Sequence, residues 1–295
     1  FVKTQFIYDV PILPVVESRE PTKVKVPELF QDIMYRGAAF DILPNEVPDP
    51  LPNALLTLNR KINHSIRSQA HKKAMYYDEP SGNEALRLQL CKWYLPLGLT
   101  QSVQDICVTA GCQHALFLAL MATCEPGDNV AIETPGFYGA IQLLEALGLN
   151  VIEVPSDSTS GMKVTVLASM LQNWQIKACI VSPCFSTPTG ACMPDANKAD
   201  LVELANNFDF AVIEDDIYGD LGFYQRPKPI KAWDTQSRVI LCSSFSKSLS
   251  RELRIGWIMA GRWHQQVIKL KLVSQLACNQ SIQVALANFI EQGDF

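Results

Sequence analysis

The feature that most constrains the fold is the alternation of short apolar runs with helical patterns. The runs are Asp105–Ala110, Asn129–Glu133, Val151–Val154, Lys177–Ser182, Phe208–Glu214 and Arg238–Ser243. Helical patterns lie between them at His114–Thr123, Gly139–Gly148 and Ala196–Asn207. Short β-branched runs separated by helices are typical of a largely parallel sheet that is covered by helices on both faces. We therefore expect an α/β fold.

The composition agrees with a packed domain. The chain has 295 residues, of which 48% are hydrophobic, and this excludes a disordered chain, a collagen and a coiled coil. The length fits one large domain, or a large domain with a smaller lobe. A net charge of −5 argues against direct binding to a nucleic-acid backbone, which requires a basic excess.

The distribution of cysteines, histidines and apolar runs argues against a disulfide framework, a metal site and a membrane span. The nine cysteines form no C-x-x-C pair and lie mostly in apolar runs, which indicates reduced thiols and a cytoplasmic protein. Four scattered histidines predict no metal site. The longest apolar run, Ala115–Cys124, is half of the roughly 20 residues that a membrane span needs, so we expect no membrane segment.

Parallel sheets bind ligands at the carboxyl ends of their strands, so the residues after each run are the candidates. Gly111, Cys112 and Gln113 follow the first run and open a helix, whose N–H groups could bind an anion such as phosphate. An ordinary tight turn remains an alternative. Phe137 follows the second run and could stack on a flat ring or simply pack in the core.

Acidic and basic side chains follow the last two runs. Asp215 and Asp216 end a buried strand, which is costly unless one of them has a cationic partner, although solvation at the sheet edge is an alternative. Lys247 follows the next run, with hydroxyl groups beside it and Arg254 seven residues later. A phosphate site, an aromatic ring, a carboxylate and an amine together match the needs of pyridoxal 5′-phosphate.

Specific motifs carry a family resemblance. They are Tyr76–Leu90 (YYDEPSGNEALRLQL), Ile213–Leu221 (IEDDIYGDL) and Ser243–Trp257 (SSFSKSLSRELRIGW). From about residue 40 onward, the chain resembles the fold-type-I pyridoxal-phosphate aminotransferases of class I/II. It is most similar to the aminotransferase-like domain of MocR-type regulators, GntR-family transcription factors that join a winged helix-turn-helix to this fold through a linker. The resemblance implies an aspartate aminotransferase-like fold, with a mostly parallel seven-stranded-type sheet and an incomplete small domain.

The resemblance also implies roles for individual residues. Lys247 would form the Schiff base and carry the proton between Cα and C4′. Asp215 would pair with the pyridinium nitrogen, Tyr218 would donate to the phenolate oxygen, and Phe137 would stack on the ring. The remaining implied cofactor-binding residues are Gly111, Cys112, Gln113, Thr187, Ser244, Ser246 and Arg254. Tyr77 would reach the phosphate of a neighbouring subunit, which implies a homodimer.

Three departures from the family pattern affect these expectations. Thr187 stands where the family has an asparagine, so one donor to the phenolate oxygen is missing, a loss of about 1 kcal/mol. Arg251 and Glu252 replace the Pro-Gly of MocR-like loops, which affects the backbone conformation expected for this loop because glutamate does not tolerate positive φ as glycine does. The family's C-terminal lobe supplies an arginine for the substrate's α-carboxylate, and no residue here matches it.

The expected organisation has three parts. Residues 1–28 form a proline-bearing linker or arm, residues 29–75 belong to a small domain and its connection, and residues 76–295 form the cofactor-binding large domain. Because the chain starts without Met and stops after a helical pattern, we expect it to be cut from a longer protein.

Three functional hypotheses remain open. The first is an effector domain of a MocR-type regulator that binds pyridoxal phosphate and senses an amino compound. In that case DNA is bound only through an N-terminal domain that these residues do not include. The second is a free-standing aminotransferase that acts on an amino acid and a 2-oxo acid. The third is a degenerate scaffold that only dimerises.

Overall fold

The computed structural model describes residues 20–26, 52–69 and 79–295, and one sheet organises them. The strands are β1 (Thr22–Lys23), β2 (Ile106–Thr109), β3 (Asn129–Thr134), β4 (Asn150–Asp157), β5 (Gly161–Met162), β6 (Ala178–Val181), β7 (Ala211–Asp215), β8 (Val239–Ser244) and β9 (Gly256–Met259). Within the described ranges the order across the sheet is β1-β4-β3-β6-β7-β8-β9-β2, and β5 pairs with β4.

The centre of the sheet is parallel. Strands β4, β3, β6, β7 and β8 run in one direction, so their carboxyl ends share one edge. Strand β9 runs antiparallel to both of its neighbours, β8 and β2. The predicted mostly parallel sheet is therefore confirmed, with seven longer strands and two strands of two residues each.

Helices cover both faces of the sheet. They are α1 (Asn53–Gln69), α2 (Glu84–Tyr94), α3 (Cys112–Thr123), α4 (Tyr138–Ala146), α5 (Val164–Met170), α6 (Asp195–Phe208), α7 (His264–Ser274) and α8 (Gln280–Glu291). One buried cluster joins the sheet to α3, α4 and α7, and a second joins the opposite face to α5 and α6. A third cluster packs α1, α2 and α8 against β2 and β9.

Alternation along the strands assigns residues to these two faces. In β7, Ala211 and Ile213 pack into the cluster of α3, whereas Val212 packs into the cluster of α6. Successive side chains of a strand point to opposite faces, so Asp215 belongs to the α3 face. This places the last residue of β7 beside the N-terminus of α3.

Part of the predicted N-terminal arm lies against the sheet. Thr22 and Lys23 pair antiparallel with Val151 and Asn150 of β4. The Val26 amide donates to Glu145 Oε1 of α4 over 3.0 Å.

No helix in the described residues is long and apolar enough to cross a membrane.

Candidate functional site

A cavity of about 210 Å³ opens at the carboxyl ends of the parallel strands. Its walls come from the N-terminus of α3, the start of α4 and the loops after β6, β7 and β8. The lining residues are Cys112, Gln113, Leu116, Phe137, Tyr138, Ser182, Thr187, Asp215, Ile217, Tyr218, Ser246, Lys247, Arg251 and Arg254. The cavity therefore lies where the topology of the sheet predicts a ligand site.

Asp215 is the buried acid of this cavity. Its Oδ1 accepts hydrogen bonds from the Cys112 thiol and the Ile217 amide, each at 3.2 Å. Burial raises the pKa of Asp215 to about 6, and these two hydrogen bonds and Lys247 oppose the rise. Burial also raises the pKa of the Cys112 thiol, so this thiol stays protonated as a donor. An ionised Asp215 is thus held ready for a cationic partner in the cavity.

The neighbouring Asp216 faces the other way and has its own partners. Its Oδ2 lies 2.6 Å from Arg226 Nη2 and accepts a hydrogen bond from the Tyr94 hydroxyl at 3.0 Å. The Trp257 indole N–H donates in turn to the Tyr94 hydroxyl over 3.2 Å. Asp216 is therefore neutralised beneath the site, which leaves Asp215 as the carboxylate that faces the cavity.

Lys247 lies in the loop that follows β8. Its Nζ is 5.7 Å from the centre of the Tyr218 ring, and both side chains line the cavity with Asp215. The loop is shaped by Ser244, whose hydroxyl accepts the Ser246 amide at 3.3 Å. The amine, the phenol and the carboxylate predicted from the strand ends thus lie around one space.

The N-terminus of α3 and Arg254 form an anion-binding end of the site. Gly111 precedes the helix with φ of +91°, and no side chain caps the first turn. Arg254 Nη2 donates to the Ala110 carbonyl over 3.0 Å, and a Cβ at Gly111 would lie 2.7 Å from that nitrogen. Free N–H groups beside a guanidinium group are a favourable place for a phosphate.

The wall that contains Ser182 and Thr187 depends on a buried acid that the sequence did not reveal. Glu133, in β3, accepts hydrogen bonds at Oε1 from the Ser182 amide at 2.8 Å and the Ser186 hydroxyl at 3.0 Å. Burial raises the pKa of Glu133 to about 7, against the effect of these hydrogen bonds. Glu133 thereby anchors the loop that carries Thr187 into the cavity.

Most of the predicted site residues come together. Those that line the cavity are Cys112, Gln113, Phe137, Thr187, Asp215, Tyr218, Ser246, Lys247 and Arg254. Gly111 and Ser244 lie behind the wall and shape it, and Tyr77 lies outside the described residues. The prediction missed Leu116, Tyr138, Ser182, Ile217 and Arg251. The predicted roles of all these residues in cofactor binding stay predictions.

Comparison with known families gives a match over most of the chain. The model of the family "Aminotransferase class I and II" matches residues 45–289. This range includes every residue that lines the cavity.

Two bacterial relatives are regulators by name. The uncharacterized HTH-type transcriptional regulator YjiR of Escherichia coli is 39% identical over 81% of this chain and 50% of its own length. The uncharacterized HTH-type transcriptional regulator YdcR of the same organism is 35% identical over 95% of this chain and 60% of its own length. The chain thus spans about half to three-fifths of these relatives.

Solved structures include close matches in fold. The kynurenine aminotransferase of Pyrococcus horikoshii, in complex with PMP, superposes with a TM-score of 0.77 and 29% identity. The match covers 92% of this chain and 69% of that chain.

Proposed function

The chain belongs to the class I and II aminotransferase family, and we propose that it is the effector domain of a MocR-type transcriptional regulator. Its cofactor is pyridoxal 5′-phosphate, the cofactor of that family. In this proposal the protein is a cytoplasmic homodimer that senses a small amino compound. It contacts DNA through an N-terminal module outside these residues.

The observation that carries the proposal is the cavity itself. Lys247, Asp215 and Tyr218 all line it, and the N-terminus of α3 with Arg254 bounds its anion-binding end. The charges of these residues also suit pyridoxal phosphate, since an amine, a carboxylate and an anion-binding site lie around the same cavity. These residues therefore fit pyridoxal phosphate.

Each residue has a distinct task in this arrangement. Lys247 would hold the cofactor covalently and, once released, would accept or return the proton of the substrate's Cα. Asp215 would keep a ring nitrogen protonated, because an ionised carboxylate favours the charged form of its partner. Tyr218 would donate its hydroxyl proton to the phenolate oxygen. When bound, pyridoxal phosphate supplies an electron sink for the electrons of the Cα–H bond.

Two observations favour a regulator over a free-standing enzyme. Both E. coli relatives are HTH-type regulators by name, and the chain covers only 50% and 60% of their lengths. The alternative is an aminotransferase that transfers an amino group between an amino acid and a 2-oxo acid, and the kynurenine aminotransferase of P. horikoshii favours it.

The cofactor site can be tested by chemical trapping. Pyridoxal phosphate added to the purified protein should produce a visible absorbance band, and borohydride reduction should fix the cofactor on Lys247. Peptide mapping would locate the label. Lys247→Ala should abolish the label, whereas Lys163→Ala, at an exposed lysine on the protein surface, should keep it. A label on another lysine in the unaltered protein would contradict the site.

The regulator can be distinguished from the enzyme by the parent gene. We expect the coding sequence on the N-terminal side of Phe1 to encode a winged helix-turn-helix joined by a linker. A start codon close to Phe1 would instead support the free-standing aminotransferase.

A further inference from the structure

The loop between β6 and α6 places two cysteines opposite each other. The Met193 amide donates to the Pro183 carbonyl and the Ser186 amide donates to the Ala191 carbonyl, each over 2.8 Å. These two hydrogen bonds bring the outgoing and returning arms of the loop side by side. Cys184 and Cys192 occupy the facing positions between them.

The two thiols face each other across the loop, and each shifts the pKa of the other. The Cys184 thiol and the Phe185 backbone N–H both favour the thiolate form of Cys192 and so lower the pKa of its thiol. Phe185, the residue after Cys184, adopts a positive φ of 59°. The loop therefore holds two facing thiols of unlike acidity.

The environment also gives the two sulfurs different reactivity. Hydrogen bonds from Cys184 lower the pKa of Cys192, and the Lys198 ammonium adds to this effect. The donated hydrogen bond and burial together raise the pKa of Cys184. Cys192 is half-buried and can meet a small reagent, whereas Cys184 is fully buried. The thiolate is the nucleophilic form of cysteine, so Cys192 is the residue that reacts first.

Other buried cysteines of the described chain differ from this pair. Cys107 and Cys278 lie near each other, but each donates to the Val108 carbonyl rather than to the other sulfur. Burial raises the pKa of both thiols. This second pair therefore lacks an activated sulfur and serves as an internal reference.

We propose that Cys184 and Cys192 are a redox-active dithiol that a hydroperoxide converts into a reversible disulfide. The Cys192 sulfur attacks the peroxide, the O–O bond breaks, and the leaving oxygen takes a proton to depart as water or an alcohol. Cys192 is then a sulfenic acid. The Cys184 sulfur attacks the Cys192 sulfur, the S–O bond breaks, and the hydroxide leaves as water with the Cys184 proton. Two electrons pass from the two thiols to one peroxide.

The disulfide would close a ring around the loop that forms one wall of the cavity. The ring includes Ser186, which is bound to Glu133, and Thr187, which lines the cavity. A short covalent ring restricts the loop in the unfolded and partly opened states. In reducing compartments, disulfides of this kind are transient and serve in catalysis or redox sensing. The proposal concerns only the thiols and holds whether or not the cavity takes pyridoxal phosphate.

Peptide mapping of the oxidised protein tests the proposal. The folded chain would be treated with hydrogen peroxide, alkylated to block free thiols, digested and analysed by mass spectrometry. The expected product is a peptide pair joined through Cys184 and Cys192, with the nine free thiols falling to seven and returning to nine after dithiothreitol. Oxidation of Cys192 without a link, a link between Cys107 and Cys278, or nine unchanged thiols would overturn it.

Single substitutions provide the matched comparison. In Cys184→Ser, Cys192 should accumulate as a sulfenic acid that dimedone labels, because its resolving partner is lost. Cys124→Ser removes a half-buried cysteine elsewhere and should leave the link unchanged. Thermal melting would confirm that both variants fold. If Cys184→Ser fails to fold, the mapping of the unaltered protein still decides the question.

Discussion

At the scale of single residues, the site depends on how one strand separates two adjacent carboxylates. Asp215 faces the cavity and accepts hydrogen bonds only from neutral groups, a thiol and a backbone amide. Asp216 faces the opposite side, where its carboxylate lies 2.6 Å from the Arg226 guanidinium group. The sequence suggested that one of them needed a cationic partner. The alternation of the strand decides which one, and it leaves Asp215 for a cation that binds in the cavity.

Substitution of Asp215 tests this division of labour. Asp215→Asn keeps acceptors for the Cys112 thiol and the Ile217 amide but removes the charge. We expect the variant to retain pyridoxal phosphate while the half-reaction with an amino acid slows by on the order of 10²-fold or more, as for the loss of other preorganised electrostatic groups. Absorbance spectroscopy after rapid mixing measures both quantities. Asp200→Asn, at an exposed site on α6, is the control, and an unchanged rate in Asp215→Asn would contradict the role.

At the scale of elements, the sequence predicted the parallel strands because buried strands form continuous apolar runs. It did not predict β9, since Gly256–Met259 is short, opens with glycine and lies inside the lysine motif. The glycine is required there, because a Cβ on Gly256 would lie 2.6 Å from the backbone of Gly111. This close approach brings β9 beneath the N-terminus of α3, a long-range contact that no local pattern encodes.

The candidate site was predictable for a similar reason and only in part. Residues at strand ends, such as Lys247 and Asp215, could be found because the carboxyl edge of a parallel sheet gathers them. Glu133 could not, because one acid within an apolar run does not reveal that it is buried or that it binds the Ser182 amide. Helix α3 begins at Cys112, as the glycine turn predicted, but the contact of the Cys112 thiol with Asp215 joins distant parts of the chain and could not be predicted.

At the scale of the whole molecule, buried acids make stability depend on pH. Burial raises the pKa of Glu133 to about 7 and that of Glu214 to about 8, from 4.5 in both cases. Between pH 4.5 and these raised pKa values, the folded state therefore binds more protons than the unfolded state. The stability that these groups contribute is complete below about pH 4.5 and is lost as the pH rises through 7 to 8.

A neutral substitution should remove one part of this dependence. The amide of Glu133→Gln does not ionise, so the variant should not lose this part of its stability as the pH rises. The free energy of unfolding of the variant minus that of the unaltered chain should therefore be about 2–3 kcal/mol larger at pH 8 than at pH 5. Urea unfolding of the cofactor-free protein at both pH values measures the difference. Glu203→Gln, at an exposed position, should show no such change. A Glu133→Gln difference that is the same at both pH values would contradict the assignment.

The pairing of β1 with β4 has a consequence for how the molecule behaves at high concentration. An unpaired outer strand offers N–H and C=O groups to which a second chain can add, and such strands promote aggregation. Thr22 and Lys23 pair with the first two residues of β4, and the Val26 amide binds the segment to α4. Lysine is also a residue that natural proteins place on sheet edges to discourage such pairing. The short N-terminal segment thus occupies the first two pairing positions at the β4 edge of the sheet and hinders the addition of another chain there, independently of any ligand.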